Sequence, residues 1–587
     1  MSSQVFLPVV GTLFCYLLFR VSRVLYRDLT SPLRYVVGPR NPSFIFGNVK
    51  EMGEDPNLTT KWRNEFGANF RLRGLFGITE LHTSDIKAVN HIVSRPEIYQ
   101  KAPANRASIQ LFLGKGILSV ELDEHKRHRR ALNPAFAVPQ IRAITEVFVE
   151  KAVQLREIWG GQVAQQNGAA RIEVLSWLRR MTLDVIGQAG FNHHFGSLEG
   201  NGKPSELENV FTQLFHSPDA SRYSAFRLMQ ALVPILSLVP VPGRNLVQAA
   251  RDMMYKIGNQ IVSDSKADIR ASAGEKELSA KRDLLSVLLK ANMSPNIPAT
   301  QRLDDTEVIS QIPTFFFAGH ETTSGATAWA LHALSANPAA QSKLRAELLA
   351  ISTDNPTMDE LNSLPYLEHV VRESMRIHAP VVFTQRKAME DDVLPLGKPY
   401  IDKEGKSHDT LTIPKGEMIH IPILAINTDP EIWGDDASEF RPERWDNIPD
   451  SVSEIPSVWA NLLTFFAGPH NCIGFRFSLV EMKALLFTLI RAFEFEHALP
   501  KGAVGATVSG VLQSPTKSQA GLMAFDYLPP THAAYTYLDL LSVKLMTILP
   551  LMFNFGSHQL DQSKCRDDIQ SILFGGGKWG SQTFPPY

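Results

Sequence analysis

Cysteine is nearly absent. The 587 residues contain three, Cys15, Cys472 and Cys565, an odd and widely spaced set that offers no disulfide framework and points to a reducing compartment. Net charge is nearly absent too: 59 Lys plus Arg face 60 Asp plus Glu, so no long-range field draws in nucleic acid and none is expected as a partner. No internal repeat is visible, which excludes a solenoid or propeller. What is present, 44% hydrophobic and 20% charged residues, is an ordinary globular composition able to bury one large core with room for extras.

The longest uncharged apolar run lies at the start. Val5 to Phe19 extends through Val21, Val24 and Leu25 if Arg20 and Arg23 snorkel toward headgroups. Positive charge (Arg20, Arg23, Arg27) follows the run, so the rest of the chain is expected on the cytosolic side. A cleaved signal peptide is opposed by the lack of a basic start and of a small-x-small site. Residues 1–27 are read as a membrane anchor. Residues 28–45, with Pro32, Pro39 and Pro42, form a hinge. From 46 to 515 helical periodicity dominates, broken by short β pieces such as Phe70 to Leu75 and Thr412 to Pro422. Leu228 to Val241 reads as a buried connector or a surface that dips into lipid, and Ser263 to Asp283 as a solvated loop or frayed helix end. Residues 516–587 form an atypical tail, disordered or mis-spliced. Within it Asp539 and Lys544 interrupt the apolar runs and argue against a second span.

Four patterns in the body carry chemistry. Phe465-Phe466-Ala467-Gly468-Pro469-His470-Asn471-Cys472-Ile473-Gly474 precedes a helical pattern over Phe475 to Phe493, so Cys472 stands at a helix N-terminus, where unpaired N–H groups favour a metal-binding thiolate. The competing reading is an inert buried thiol. In the helical run from Asp304-Asp305-Thr306 to Asn337-Pro338, Ala318 and Gly319 leave space, and Glu321 with Thr322 offers an acid and a hydroxyl for proton relay. Thr322 could equally back-bond to a carbonyl. His320-Glu321 also begins a zinc-type HExxH pattern, but Ser324 stands where the second His is needed. Glu373 and Arg376 share a helix face, an arrangement usually found as a weak surface pair. His125 and Arg129 share a face in the basic run His125 to Arg130.

In their order, these motifs and Pro442-Glu443-Arg444-Trp445 resemble those of the cytochromes P450, over about Phe46 to Ser514. The resemblance implies a mainly α, roughly triangular fold with a small β part and an N-terminal transmembrane helix, and haem b as cofactor. Cys472 would be the axial iron ligand, Phe465 would lie beside the sulfur, and Gly468 would let the backbone pass under the macrocycle. His470, His125 (where Trp is commoner), Arg129 and Arg386 would meet the propionates, with Lys126, Arg127 and Arg130 left for a donor-docking surface. Glu321 and Thr322 would deliver protons, and Glu373, Arg376 and Arg444 would form a buried triad. Substrate contacts would come from the Ile109 to Phe112 loop, Phe315, Phe316, Ala318, Val381, Val382 and Phe383, a lipophilic set that does not decide among terpenoid, sterol and fatty acid. Thiolate ligation favours O–O cleavage, so the implied activity is monooxygenation. The chain carries no recognisable flavin or nicotinamide domain, so the implied donor is a separate NADPH-cytochrome P450 reductase, with cytochrome b5 as a second donor. The implied location is the endoplasmic reticulum membrane. The alternatives are a haem-thiolate isomerase or dehydratase, and a haem-binding protein without turnover.

Overall fold

The computed structural model describes residues 3–55, 58–199, 226, 230, 239, 244–271, 283–293, 298, 302–500, 503–517 and 540–545. The helices that position the site are α1 (Ser3–Thr30), α2 (Pro103–Leu113), α3 (Leu122–Leu132), α4 (Val138–Gln165), α5 (Val174–Val185), α6 (Arg244–Ala271), α7 (Asp305–Ala336), α8 (Pro365–Ile377) and α9 (Phe475–Ala492). The long α7 begins where its sequence signals a start: the Asp304 carboxylate accepts the Glu307 N–H at 2.7 Å and Glu307 accepts the Asp304 N–H at 2.9 Å, closing a capping box. Pro313 sits inside α7 without ending it. Phe316, Leu331 and Leu334 of α7 and Leu485, Leu486, Leu489 and Ile490 of α9 are fully buried in one continuous core.

The β part is small. Strands β1 (Asn69–Arg73), β2 (Thr79–Thr83), β3 (Tyr99–Gln100), β5 (Thr384–Ala388) and β8 (Met418–Ile421) form one sheet in the order β1-β2-β8-β5-β3, in which β2 and β8 run parallel. Register places Phe70 opposite His82 and His82 opposite His420. The rings of Phe70, His82 and His420 therefore stack across three strands at 4.1 and 5.0 Å, and Phe383, just before β5, adds a fourth ring at 4.4 Å. The β piece expected over Thr412 to Pro422 is two strands, β7 (Ser407–Ile413), which pairs with β6 (Asp392–Ile401), and β8. Gly416 at φ 97° turns the chain between them.

Two expectations change, and the transmembrane helix is left without support. Among the described residues no helix is long and apolar enough to cross a membrane. The helix expected over 1–27 runs to Thr30, with Arg20, Arg23, Arg27 and Asp28 in its C-terminal half, and it ends because Ser31, preceding Pro32, is extended (ψ 132°). Ile109 and Phe112 lie in α2, not in a loop. The tail expected to start at 516 is partly ordered: β11 (Leu512–Lys517) pairs with β10 (Val504–Ser509), and β12 (Leu540–Leu545) is the middle strand between β4 (Ala169–Glu173) and β9 (Phe493–His497). Leu228 to Val241 lies outside the described residues except at Gln230 and Val239, and Ser263 to Ala271 is helical.

Glu481 in α9 is fully buried, and neither carboxylate oxygen has a hydrogen-bond partner, so burial holds its pKa well above the usual carboxylate range. Stability from a raised carboxyl is complete below the unfolded value of about 4.3 and is lost as pH rises above it. Glu481→Gln is therefore expected to melt close to wild type in acid and clearly higher at about pH 8, a difference read by thermal melting at the two pH values.

Candidate functional site

The loop before α9 is built around Cys472. Phe466 and Gly468 take positive φ (57° and 66°), and a Cβ at Gly468 would lie 2.4 Å from the Val93 carbonyl oxygen, so only glycine fits there. The Cys472 N–H donates to the Phe465 carbonyl at 2.9 Å, folding the loop back on itself. Phe465 is buried, 5.6 Å from Trp459 and 6.0 Å from Phe475 between ring centroids. The thiol is accessible, yet enough protein surrounds it that burial pushes its pKa up, opposed by the Gly474 N–H and the Arg129 guanidinium. Such a sulfur lines an internal crevice.

Polar anchors tie this loop to α8. The Asn427 side chain accepts the Leu463 N–H at 3.0 Å and donates to Thr464 Oγ1 at 2.8 Å, while Thr464 Oγ1 donates to the Met375 carbonyl at 2.8 Å. Arg376 then links the Asn427 carbonyl (3.1 Å) to Glu373, donating from Nε (2.9 Å) and Nη2 (2.8 Å). Arg444 Nε reaches Glu373 Oε1 at 3.3 Å and its Nη1 reaches Asp436 at 2.5 Å. Trp445 Nε1 donates to Glu373 Oε2 at 3.1 Å, a bond that phenylalanine at this position could not make. The expected triad is part of a network of five side chains, all buried but the half-buried Asp436.

On the other side, Ala318 is exposed and Thr322, one turn on, is half-buried, as are Phe317 and Gly319, within a largely buried stretch of α7. Thr322 Oγ1 donates to the Ala318 carbonyl at 2.7 Å. Glu321 does not point along this face. Its carboxylate pairs with Arg179 of α5 (3.0 and 3.2 Å) and lies 3.4 Å from His320 Nε2, whose ring bonds the Phe316 carbonyl through Nδ1 at 2.8 Å. Gly319 serves packing: a Cβ there would press on Ile186 at 3.0 Å. Phe315 and Phe316, expected at the pocket, are core residues against Phe136 and against Phe191 and Phe195. Ile109, Phe112, Val381 and Phe383 are half-buried, and Val382 is buried. The β10–β11 hairpin closes on the Val381 segment through Val382 N–H to Val511 O (3.0 Å) and Gln513 N–H to Pro380 O (2.9 Å).

Between the two sides sits a cluster of cations. Arg386 and Lys101 are desolvated, which pulls their pKa values down to about 10 and about 8. His125 and His470 face each other at 4.0 Å, and one carboxylate, Glu121, bonds His470 Nε2 (2.8 Å) and approaches Lys101 Nζ (3.5 Å). Arg129 turns to the Asn471 carbonyl and side chain at 2.5 Å. Five cationic or protonatable side chains against one acid suit a ligand that brings two carboxylates of its own. Lys101, Glu121, Arg179 and Asp436 were not anticipated. Of these only Glu121, four residues before His125, left a spacing signal.

The cytochrome P450 family model matches residues 37–519. The chain belongs to the cytochrome P450 family. It is 48% identical to cytochrome P450 monooxygenase 205 of Postia placenta over 80% of this chain and 88% of that protein, and 46% identical to monooxygenase 128 of the same fungus over 86% and 93%. Monooxygenase claO of Ampulloclitocybe clavipes is 36% identical over 84% and 92%. This P450 is therefore an oxidoreductase, a monooxygenase whose cofactor is haem iron ligated by a cysteine thiolate. The accessible sulfur, the small residue opposite and the acid-poor cation cluster fit that cofactor.

Proposed function

We propose that the chain is a membrane-anchored monooxygenase that converts a lipophilic substrate RH, with O2, NADPH and H+, into ROH, H2O and NADP+, taking its electrons from a separate NADPH-dependent reductase. The observation that carries this reading is Cys472 set in its crevice, with Thr322 on the accessible face of α7. Cys472 would ligate the iron. Lys101, His125, His470 and Arg386 would hold the propionates, and haem when bound would supply the chemistry of oxygen activation. Gly474 N–H and Arg129 favour the thiolate. Thr322 Oγ1, released from the Ala318 carbonyl, would pass a proton, replenished through Glu321. Arg179 holds the Glu321 carboxylate in place.

The half-buried apolar side chains of α2 and of Val381 and Phe383 support a lipophilic substrate. The concave basic surface of about 720 Å³ lined by Lys126, Arg129, Arg130 and Asn471 supports docking of an acidic donor, whereas Arg127 is engaged by Glu307. The apolar start of α1 supports an endoplasmic reticulum anchor. Thr322→Ala is expected to lower reductase- and NADPH-dependent product formation by roughly 10²-fold, the scale of a lost proton-transfer group, while the reduced carbon monoxide spectrum stays unchanged. Product formation at the wild-type rate in this variant would sink the proton role, and turnover without O2 would sink monooxygenation.

A further inference from the structure

Where α1 meets the body, two cations converge on the carbonyl of a third, Arg34, whose own guanidinium donates to the Leu29 carbonyl and the Tyr35 hydroxyl. Lys403 Nζ donates to the Arg34 carbonyl at 2.5 Å and Arg71 Nη1 approaches the same oxygen at 3.5 Å, while the Lys403 N–H holds the Tyr35 carbonyl at 3.0 Å. The nearby acids are committed elsewhere: Asp28 pairs with Arg73 at 3.1 Å and bonds the Thr79 N–H, and Asp402 bonds two backbone N–H groups and His408. Arg34, Arg71 and Lys403 make no ion pair among the described residues, and Arg71 Nε is buried without a partner. Burial and the neighbouring cations push Lys403 and Arg71 below their ordinary pKa values.

Uncompensated positive charge of this kind is costly unless an anion arrives. Around it the surface is apolar: Tyr26 is 69% exposed, Leu29 64%, Ile401 63% and Phe44 76%. Phe44 belongs to the segment whose Ile45 carbonyl takes the Phe76 N–H at 2.8 Å, beside Arg73. Large apolar side chains interleaved with unpaired cations match the boundary of an anionic bilayer, where acyl chains take the former and phosphate or carboxylate headgroups the latter.

We infer that Arg34, Arg71 and Lys403 form a docking site for anionic phospholipid headgroups, which fixes how the body meets the membrane. This deepens the proposed anchoring and rests on it. The test mixes the full-length protein with phosphatidylcholine vesicles, or with vesicles in which phosphatidylserine replaces part of that lipid, and reads partition by flotation across a salt series. Phosphatidylserine is expected to raise partition on the order of a hundredfold at low salt, the scale for three interfacial cations, and the increment should shrink as salt screens it. The triple variant Arg34→Gln, Arg71→Gln, Lys403→Gln should lose the increment and keep its partition onto phosphatidylcholine. Lys403→Glu alone, at an exposed side chain, should lower the increment with little demand on folding. Equal partition on both vesicles overturns the site, as does an unchanged increment in Lys403→Glu, or its loss in Lys126→Gln/Arg130→Gln instead. Failure of the wild type to partition onto phosphatidylcholine overturns the anchoring, not the headgroup site.

Discussion

Cys472→Ser is expected to abolish both the thiolate signature in the reduced carbon monoxide spectrum and all oxygen-dependent turnover. Losing a hydrogen-bond partner of a metal ligand costs roughly 10–100-fold, and losing the ligand itself should exceed that. Serine fits the space, since the loop is held by backbone bonds from Cys472 N to Phe465 O and by the Thr464 and Asn427 anchors, none of which uses the sulfur. The apoprotein should therefore still fold. The alcohol, however, is hardly ionised even beside the Gly474 N–H and Arg129, so it cannot supply the electron density that a thiolate gives iron. Cys15→Ser is the matched control and should change neither readout. A Cys472→Ser protein that keeps the thiolate-type spectrum would remove this residue from the iron.

Much of this was legible because helix signals are local. The Asp304 cap and the start of α9 at Phe475 lie where the sequence pattern places them. The motif residues Cys472, Glu373, Arg376 and Arg444 also carry their own spacing. Partners supplied from distant elements left no such trace. Arg179 lies 142 residues from Glu321 and Lys101 lies 369 from His470, so each pairing exists only once the helices have packed. The side of a helix that faces the crevice was also hidden: Phe315 and Phe316 look like pocket residues by proximity to Ala318, but α7 is apolar nearly all round and its period does not say which aromatic belongs to the core. Strand β12 was missed for a further reason. Lys544, read as an argument against a span, says nothing against a six-residue strand whose pairing partners lie some 370 and 45 residues earlier in the chain.

The second large effect concerns Glu373. Its two oxygens take Arg376 Nε and Nη2, Arg444 Nε, Trp445 Nε1 and the Arg441 N–H, and Glu373, Arg376 and Arg444 are at most 2% exposed. Glu373→Ala strands two guanidinium groups away from water. Breaking a buried ion set in this way costs about 3–5 kcal/mol, a large fraction of a total stability of about 5–15 kcal/mol. Asp436 softens the loss for Arg444 but not for Arg376, whose other acceptors are the backbone carbonyls of Asn427, Ala437 and Glu439. Because Arg376 also holds Asn427, and Asn427 holds Leu463 and Thr464, the damage should pass into the Cys472 loop: the variant is expected to melt lower and to retain less haem at a given temperature. Trp445→Phe keeps the packing and removes a single donor, so it should cost about 1 kcal/mol. Combined with Glu373→Gln its cost should shrink, since the indole N–H then no longer meets a carboxylate. Glu373→Ala melting alongside the wild type, or Trp445→Phe costing the same in both backgrounds, would show that the network does not hold the loop.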